Sequence, residues 1–249
     1  MTRRGFRTLL AVLCSVAALC AGVFALQARE TPTARVSFLE GSAEVQRSVA
    51  GLWSPLALGA LLDAGCAVRT GAGAKLELTL PDGSLLRVAA GSVVQLASLL
   101  TSETGAPKEL RFKVTAGKLW ATVSKALDGG RTFEVQTGNA VAGVRGTVFR
   151  VDVAEDAATI VKVYSGAVAV NNTPVYARQP EPGGGRVEVP GPQQVTKKQW
   201  EELVAKAMQE VRVAADGAMK MADFTAESEK EDAWTQWNQE RDRAAAVKE

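Results

Sequence analysis

Residues 140–153 read AVAGVRGTVFRVDV. A strand-like apolar run is broken there by Gly143-Val144-Arg145-Gly146-Thr147, which sets one arginine between two glycines. Two kinds of structure contain such a break. A phosphate-cradling loop needs a strand, a long Gly-rich loop ending in Lys-Ser/Thr, and then a helix whose N-terminus faces the anion. Here VFRVDV follows, and its alternation is that of a strand, which argues against both the phosphate loop and the dinucleotide fingerprint. The other structure is a sharp bend between two β-segments, for which glycine supplies positive φ or a close backbone approach. On this reading Gly143, Gly146 and Thr147 form a structural corner with Arg145 at its apex. Such an arginine either pairs with an internal carboxylate or presents its fork to a ligand or partner.

Outward from this corner, the chain from Ala34 to about Val195 is a succession of short apolar runs. Strands are expected at 35–38, 43–47, 74–80, 85–89, 93–97, 109–115, 118–124, 131–136, 140–144, 147–153, 159–164, 166–170 and 187–189. KLELTL (75–80) and FRVDV (149–153) show the period-two pattern of half-buried strands. Pro81-Asp82-Gly83, Gly71-Ala72-Gly73, Asp128-Gly129-Gly130 and Asn171-Asn172 punctuate them as turns. Many short strands at close spacing predict a sandwich or barrel rather than βαβ units. VRTGAGAKLEL (68–78) and VRGTVFRVDV (144–153) echo each other faintly, as corner-then-strand pieces of one sheet system. Residues 171–195, with their prolines and Gly183-Gly184-Gly185, read as a loop closing the β-region.

The character then changes. Thr196-Lys197-Lys198-Gln199 has the form of a capping box. Trp200, Leu203, Val204, Ala207, Met208 and Val211 follow at helical spacing. An amphipathic helical region over 196–249 is therefore expected, weakened at Gly217, with Trp234 and Trp237 three apart in its polar second part. Aromatics among Gln, Asn, Glu and Asp suggest a contact surface, so Trp234 and Trp237 are candidate partner contacts; packing onto the chain's own domain is the alternative.

At the other end, Arg3, Arg4 and Arg7 precede the uncharged run LLAVLCSVAALCAGVFAL, residues 9–26. A basic segment followed by an apolar one predicts export, as a cleaved signal peptide within 1–28 or as an uncleaved anchor in the inner membrane. Small-residue cleavage sites end at Ala25 or Ala28, and Arg3-Arg4 also resembles a twin-arginine signal. The body of the protein is thus expected in the periplasm or otherwise outside the cytoplasm. Its lone Cys66 is expected to be a small buried apolar side chain.

Composition limits the chemistry. The formal net charge is +2 and there is no histidine. Nucleic acid is not an expected partner, and the commonest general base and zinc ligand are missing. No Ser-His or Cys-His arrangement is possible. No cofactor, metal or catalytic set is expected, and the chain is read as not an enzyme.

AVAGVRGTVFRV resembles the signature of the FecR domain, a periplasmic module of bacterial iron-transport regulators and many envelope proteins. LGALLDAGCAVRTGAGAKLELTLPDGSLLRVAAGSVVQL, GKLWATVSK and VKVYSGAVAV are similar to flanking parts of that family, so the likeness spans roughly 35–195. It implies a mainly β, FecR-like jelly-roll or β-sandwich domain over 34–195, between an N-terminal export or anchor helix and a C-terminal helical tail. FecR regulators carry a cytoplasmic anti-sigma region ahead of their membrane helix, whereas only residues 1–8 precede the apolar run here. What the resemblance implies is the module: a non-catalytic interaction or scaffold domain of the cell envelope that binds a protein or glycan. A signal-relay component and, more remotely, an envelope-polymer hydrolase are the alternatives.

Overall fold

The computed structural model describes residues 32–48, 50–101, 107–124, 132–144, 146–172 and 204–246. The chain divides into units 1–31 and 32–249; the expected export or anchor helix, the capping box at 196–199, the strand at 187–189 and Arg145 lie outside the described residues.

Seventeen strands make up most of the described chain: β1 (Ala34–Glu40), β2 (Ala43–Gln46), β3 (Ser54–Pro55), β4 (Leu61–Leu62), β5 (Ala67–Thr70), β6 (Lys75–Thr79), β7 (Leu85–Val88), β8 (Val93–Thr101), β9 (Pro107–Thr122), β10 (Thr132–Gln136), β11 (Ala140–Val144), β12 (Val148–Val153), β13 (Thr159–Ser165), β14 (Ala167–Asn172), β15 (Val204–Lys206), β16 (Gln209–Val213) and β17 (Met219–Asp223). One helix follows, α1 (Ala233–Ala246). The strands form two leaves. The first runs β4-β1-β6-β7-β9-β12-β13-β16-β17, antiparallel throughout. The second runs β3-β2-β5-β8-β9-β10-β11-β14-β15, with only β9–β10 parallel. Strand β9 belongs to both.

The alternation explains the core. Inward positions such as Val36, Leu76, Leu86, Leu119, Val151, Val161 and Val211 from the first leaf meet Val45, Val68, Leu96, Phe112, Val135, Ala142 and Val168 from the second in one buried cluster. Each such Val, Leu or Phe contributes about 1.5–3 kcal/mol by leaving water. Cys66 is buried in the same cluster and is a free thiol, as expected.

Strand pairs cross from leaf to leaf together, and the corners stack. Strand β11 pairs with β14 in the second leaf while their continuations β12 and β13 pair in the first. The bend falls at Gly146, φ +58°, opposite Gly166, φ +82°. A Cβ on Gly166 would stand 2.5 Å from Thr147 Cγ2 and 3.0 Å from the Gly146 carbonyl oxygen. The earlier pair β2–β5 continues as β1–β6 across Gly41 and Gly71-Ala74 in the same way. The echo between 68–78 and 144–153 therefore marks two equivalent corners.

Three hairpins share one turn. At Leu80–Ser84, Ala154–Ala158 and Ala214–Ala218 the first residue's N–H donates to the fifth residue's carbonyl at 2.8–2.9 Å. The third residue, Asp82, Asp156 or Asp216, accepts the fifth residue's N–H through its carboxylate. The fourth has positive φ: Gly83 at +81°, Ala157 at +60°, Gly217 at +85°. A left-handed backbone costs an L-residue about 1–2 kcal/mol, and glycine loses about 0.4–1 kcal/mol of that through its freer unfolded chain. Ala157→Gly is expected to stabilise the protein by up to about 1 kcal/mol in urea unfolding; a loss of stability would contradict the turn described.

The third hairpin corrects the sequence reading. Over 204–223 the chain is not an amphipathic helix: β15 extends the second leaf beside β14, and β16 and β17 extend the first beside β13. Among the described residues of the C-terminal region the helix spans Ala233–Ala246. Val204, Ala207, Met208 and Val211 fall at helical spacing because a tight turn at Ala207-Met208, with Met208 at φ +67°, shifts the phase between two short strands. Within β16 the true period is two, with Val211 and Val213 both buried.

Candidate functional site

The outer face of the first leaf carries a single row of side chains across the strands. Register pairs Phe38 with Glu77, Glu77 with Arg87, Arg87 with Trp120, Trp120 with Arg150, Arg150 with Lys162 and Lys162 with Glu210. Strands present such a row to water in most sandwiches. Here α1 lies along it, and the centre of the row, from Glu77 through Arg87 and Trp120 to Arg150, is buried, while Phe38, Lys162 and Glu210 at its ends are half-buried.

The helix starts where the row needs a carboxylate. Asp232 Oδ1 accepts the N–H groups of Trp234 and Thr235, which caps α1. Its other oxygen takes Arg150 Nη1 at 2.5 Å, and Asp152 holds the remaining edge of the same guanidinium. One turn before the helix, Glu229 accepts from Lys162 Nζ and Tyr164 OH, both at 2.7 Å. Farther along, Asp242 Oδ1 accepts from Arg87 at 2.7 Å and Thr122 at 2.9 Å, while Oδ2 accepts from Trp120 Nε1 at 3.1 Å. Glu77 accepts from Arg87, Arg241 and Ser37. The interface between helix and sheet is therefore a lattice of paired charges, with Thr235 and Asn238 buried at its centre.

Electrostatics follow from those pairs. Burial alone would push the Glu77 carboxyl up, but hydrogen bonds from Arg241 and Arg87 outweigh it and hold the group below the usual carboxylate range. Burial is likewise overcome by Lys162 and Tyr164 at Glu229 and by Arg150 at Asp232, and both are lowered. Burial first, then Glu229, pushes the Tyr164 hydroxyl up, despite an opposing hydrogen bond from Thr235. Carboxylates depressed in the folded state stabilise it fully above the ordinary carboxylate range, and that stability is lost as pH falls through their folded values. Acidification from pH 7 to well below the ordinary carboxyl range of about 4 is thus expected to loosen α1. Tryptophan fluorescence should change with pH while far-ultraviolet circular dichroism keeps its β character; an invariant signal would count against the lattice.

The expected contact residues sit at one end. Trp237 is half-buried, 5.6 Å from the Phe38 ring centroid and stacked on Trp234 at 5.2 Å. Arg241 lies 5.1 Å from the Trp237 ring centroid and 4.4 Å from that of Phe38. Beside them, the last turn of α1 leaves a hollow of about 260 Å³ lined by Glu77, Leu85, Arg87, Arg241, Ala244 and Ala245. The corner residues lie elsewhere. Gly143 is in β11, opposite Glu134 and Ala169. Thr147 is buried, its carbonyl accepting from Val123 N–H at 2.9 Å. Trp120 is buried not in the main core but under α1, 4.4 Å from the Tyr164 ring centroid.

The buried row went unread in the sequence, although it left a signal. Four strands of the first leaf carry a charged residue directly flanked by apolar ones: Glu77 in KLELT, Arg87 in LLRV, Arg150 in VFRVDV and Lys162 in TIVKVYS. Chemically the row is a clamp. Its carboxylates are committed to cations or hydroxyl groups, and among the described residues no cluster of three or more His, Cys, Asp or Glu could hold a metal. No helix among the described residues is long and apolar enough to cross a membrane.

No curated protein matches the chain. Two crystal structures of a "putative anti-sigma factor" from Parabacteroides distasonis ATCC 8503 are similar at 22% identity and a TM-score of 0.47. The match covers 68% of this chain and 64% of theirs, so it spans less than two thirds of their length. Residues 67–169 match the family described as FecR protein. That segment runs from the start of β5 into β14 and contains Arg87, Trp120, Arg150, Lys162 and the Gly146–Thr147 corner; it is over this stretch that the chain is similar to the FecR family.

Proposed function

We propose that this chain is a non-catalytic, extracytoplasmic interaction module of the bacterial cell envelope that binds a protein or glycan partner. The observation that carries this reading is the FecR match over 67–169, which takes in the central strands of both leaves. The committed state of the carboxylates beneath α1 agrees with it, since a general acid or base needs a proton to exchange at working pH. Trp234 and Trp237 are the proposed partner contacts, and Arg145 a second. The resemblance and the basic-then-apolar segment before residue 28 support a periplasmic location, with residues 9–26 as signal or inner-membrane anchor.

The test is photo-crosslinking in living cells. A benzophenone amino acid at 145, 234 or 237 of the full chain is expected to give discrete adducts with an envelope protein or a peptidoglycan fragment. No adduct at any of the three positions, with an exported reporter fusion intact, would reject the reading; a reporter confined to the cytosol would reject the location. The same family match favours a second reading, a relay component working through another membrane protein. Deletion of the gene should then alter transcription under a defined envelope or metal stress, and an unchanged transcriptome argues against it.

A further inference from the structure

Of the five exposed large apolar side chains among the described residues, the three most exposed lie on one lateral edge, while Leu100 in β8 and Met221 in β17 stand apart. Leu52 is 91% exposed, Leu58 66% and Leu61 54%, all within the segment that carries β3 and β4. That segment closes the side of the two leaves. Leu56 N–H donates to Ala43 O in the second leaf, Gly59 N–H to Val36 O in the first, and Leu61 pairs with Arg35. Single exposed leucines need no explanation, whereas a group of them marks a contact.

The surroundings of these leucines are those of an interface between water and lipid. Arg35 and Arg47 are exposed, and Arg47 Nη1 donates to Leu61 O at 3.3 Å. Trp53, next to Leu52, lies under the Arg69 guanidinium at 4.5 Å from the ring centroid. Leucine, tryptophan and arginine together suit the headgroup layer, where apolar side chains enter, indole rings straddle and guanidinium groups meet phosphate. β1 begins at Ala34, paired with Leu62, and residues 27–33 separate it from the apolar run 9–26. Seven residues reach at most about 25 Å.

We propose that the β3–β4 edge rests on the phospholipid surface of the membrane that holds residues 9–26, with Leu52, Leu58 and Leu61 entering the headgroup layer and Arg35 and Arg47 on lipid phosphates. The inference rests on the reading of 9–26 as a retained anchor. It gives the module a fixed posture, with β17, at the opposite end of the first leaf, turned away from the bilayer.

The test uses the full chain with Cys14→Ser and Cys20→Ser, reconstituted into phosphatidylcholine–phosphatidylglycerol vesicles. Nitroxide labels are attached through Leu58→Cys, Leu61→Cys and, as a control on β17, Lys220→Cys; Cys66 is buried and does not compete. Flotation and resistance to alkaline extraction report the anchor. Collision with oxygen against a water-soluble nickel chelate reports the edge. Labels at 58 and 61 are expected to favour oxygen and the label at 220 to favour nickel. A label at Leu52→Cys should revert to nickel preference when Leu58→Asp and Leu61→Asp are added, with the melting temperature unchanged. Floating protein whose labels at 58 and 61 favour nickel overturns the edge contact and leaves the anchor standing. Labels shielded from both reagents, as by packing against protein, also overturn it. Protein that does not float removes the anchor reading and this inference with it.

Discussion

Replacing Arg87 with alanine is expected to lower the unfolding free energy by about 3–5 kcal/mol, the usual cost of stripping one partner from a buried ion pair. Arg87 Nε lies 2.7 Å from Glu77 and Nη1 2.7 Å from Asp242, and the arginine side chain is 1% exposed. Glu77 retains Arg241 and Ser37, but Asp242 keeps only Trp120 and Thr122 as donors. The change therefore leaves uncompensated charge where the helix meets the sheet. Chemical denaturation should show the loss, and limited proteolysis should cut within α1 before it reaches the strands. Glu44→Ala, which breaks the exposed pair with Arg69, is the control and should cost little. If both variants are equally mild, the helix does not cover the row as described.

Gly117→Ala is the second large effect. Strand β9 passes from the second leaf to the first at this residue, whose φ is +82°. A Cβ there would meet the Ser92 Cα at 2.6 Å, with Ser92 Oγ nearer still. Ser92 cannot swing aside, because it is fully buried and its Oγ accepts the Lys118 N–H at 3.0 Å. The backbone conformation costs about 1–3 kcal/mol and the forced displacement about 1–3 kcal/mol more. Gly83→Ala separates the two contributions: its φ is +81°, yet a Cβ would meet nothing within 4 Å. The difference in unfolding free energy between the variants measures the close approach alone. Equal losses would mean that the leaves do not touch at Ser92.

The strands were legible wherever one face meets the core and the other meets water or α1, because alternation records that asymmetry directly. KLELT, VFRVDV and TIVKVYS each fall on an observed strand. Strands β3 and β4, two residues each, are too short to carry a period. β5 was hidden inside the corner it enters. The misreading of 204–223 had a remedy in the chain itself: VDVAEDAAT at 151–159 and VRVAADGAM at 211–219 are the same hairpin written twice. The site was harder to read, since a charge at the centre of a strand looks solvent-facing until something covers it. What covers this row is α1, whose underside (Asp232, Thr235, Asn238, Asp242) is polar, so no apolar stripe announced that it packs on anything.

The position of β15, β16 and α1 so late in the chain bears on how the protein is made. Until the residues from Val204 onward have emerged, β13 and β14 are open borders and Arg87 and Arg150 have no Asp242 or Asp232 to meet. Open borders recruit other strands and bare buried charge resists compaction. Nascent chains stalled or cut short before this point are therefore expected to be the sticky species in the cell, and a premature stop there to be cleared by proteases rather than to yield a smaller working protein.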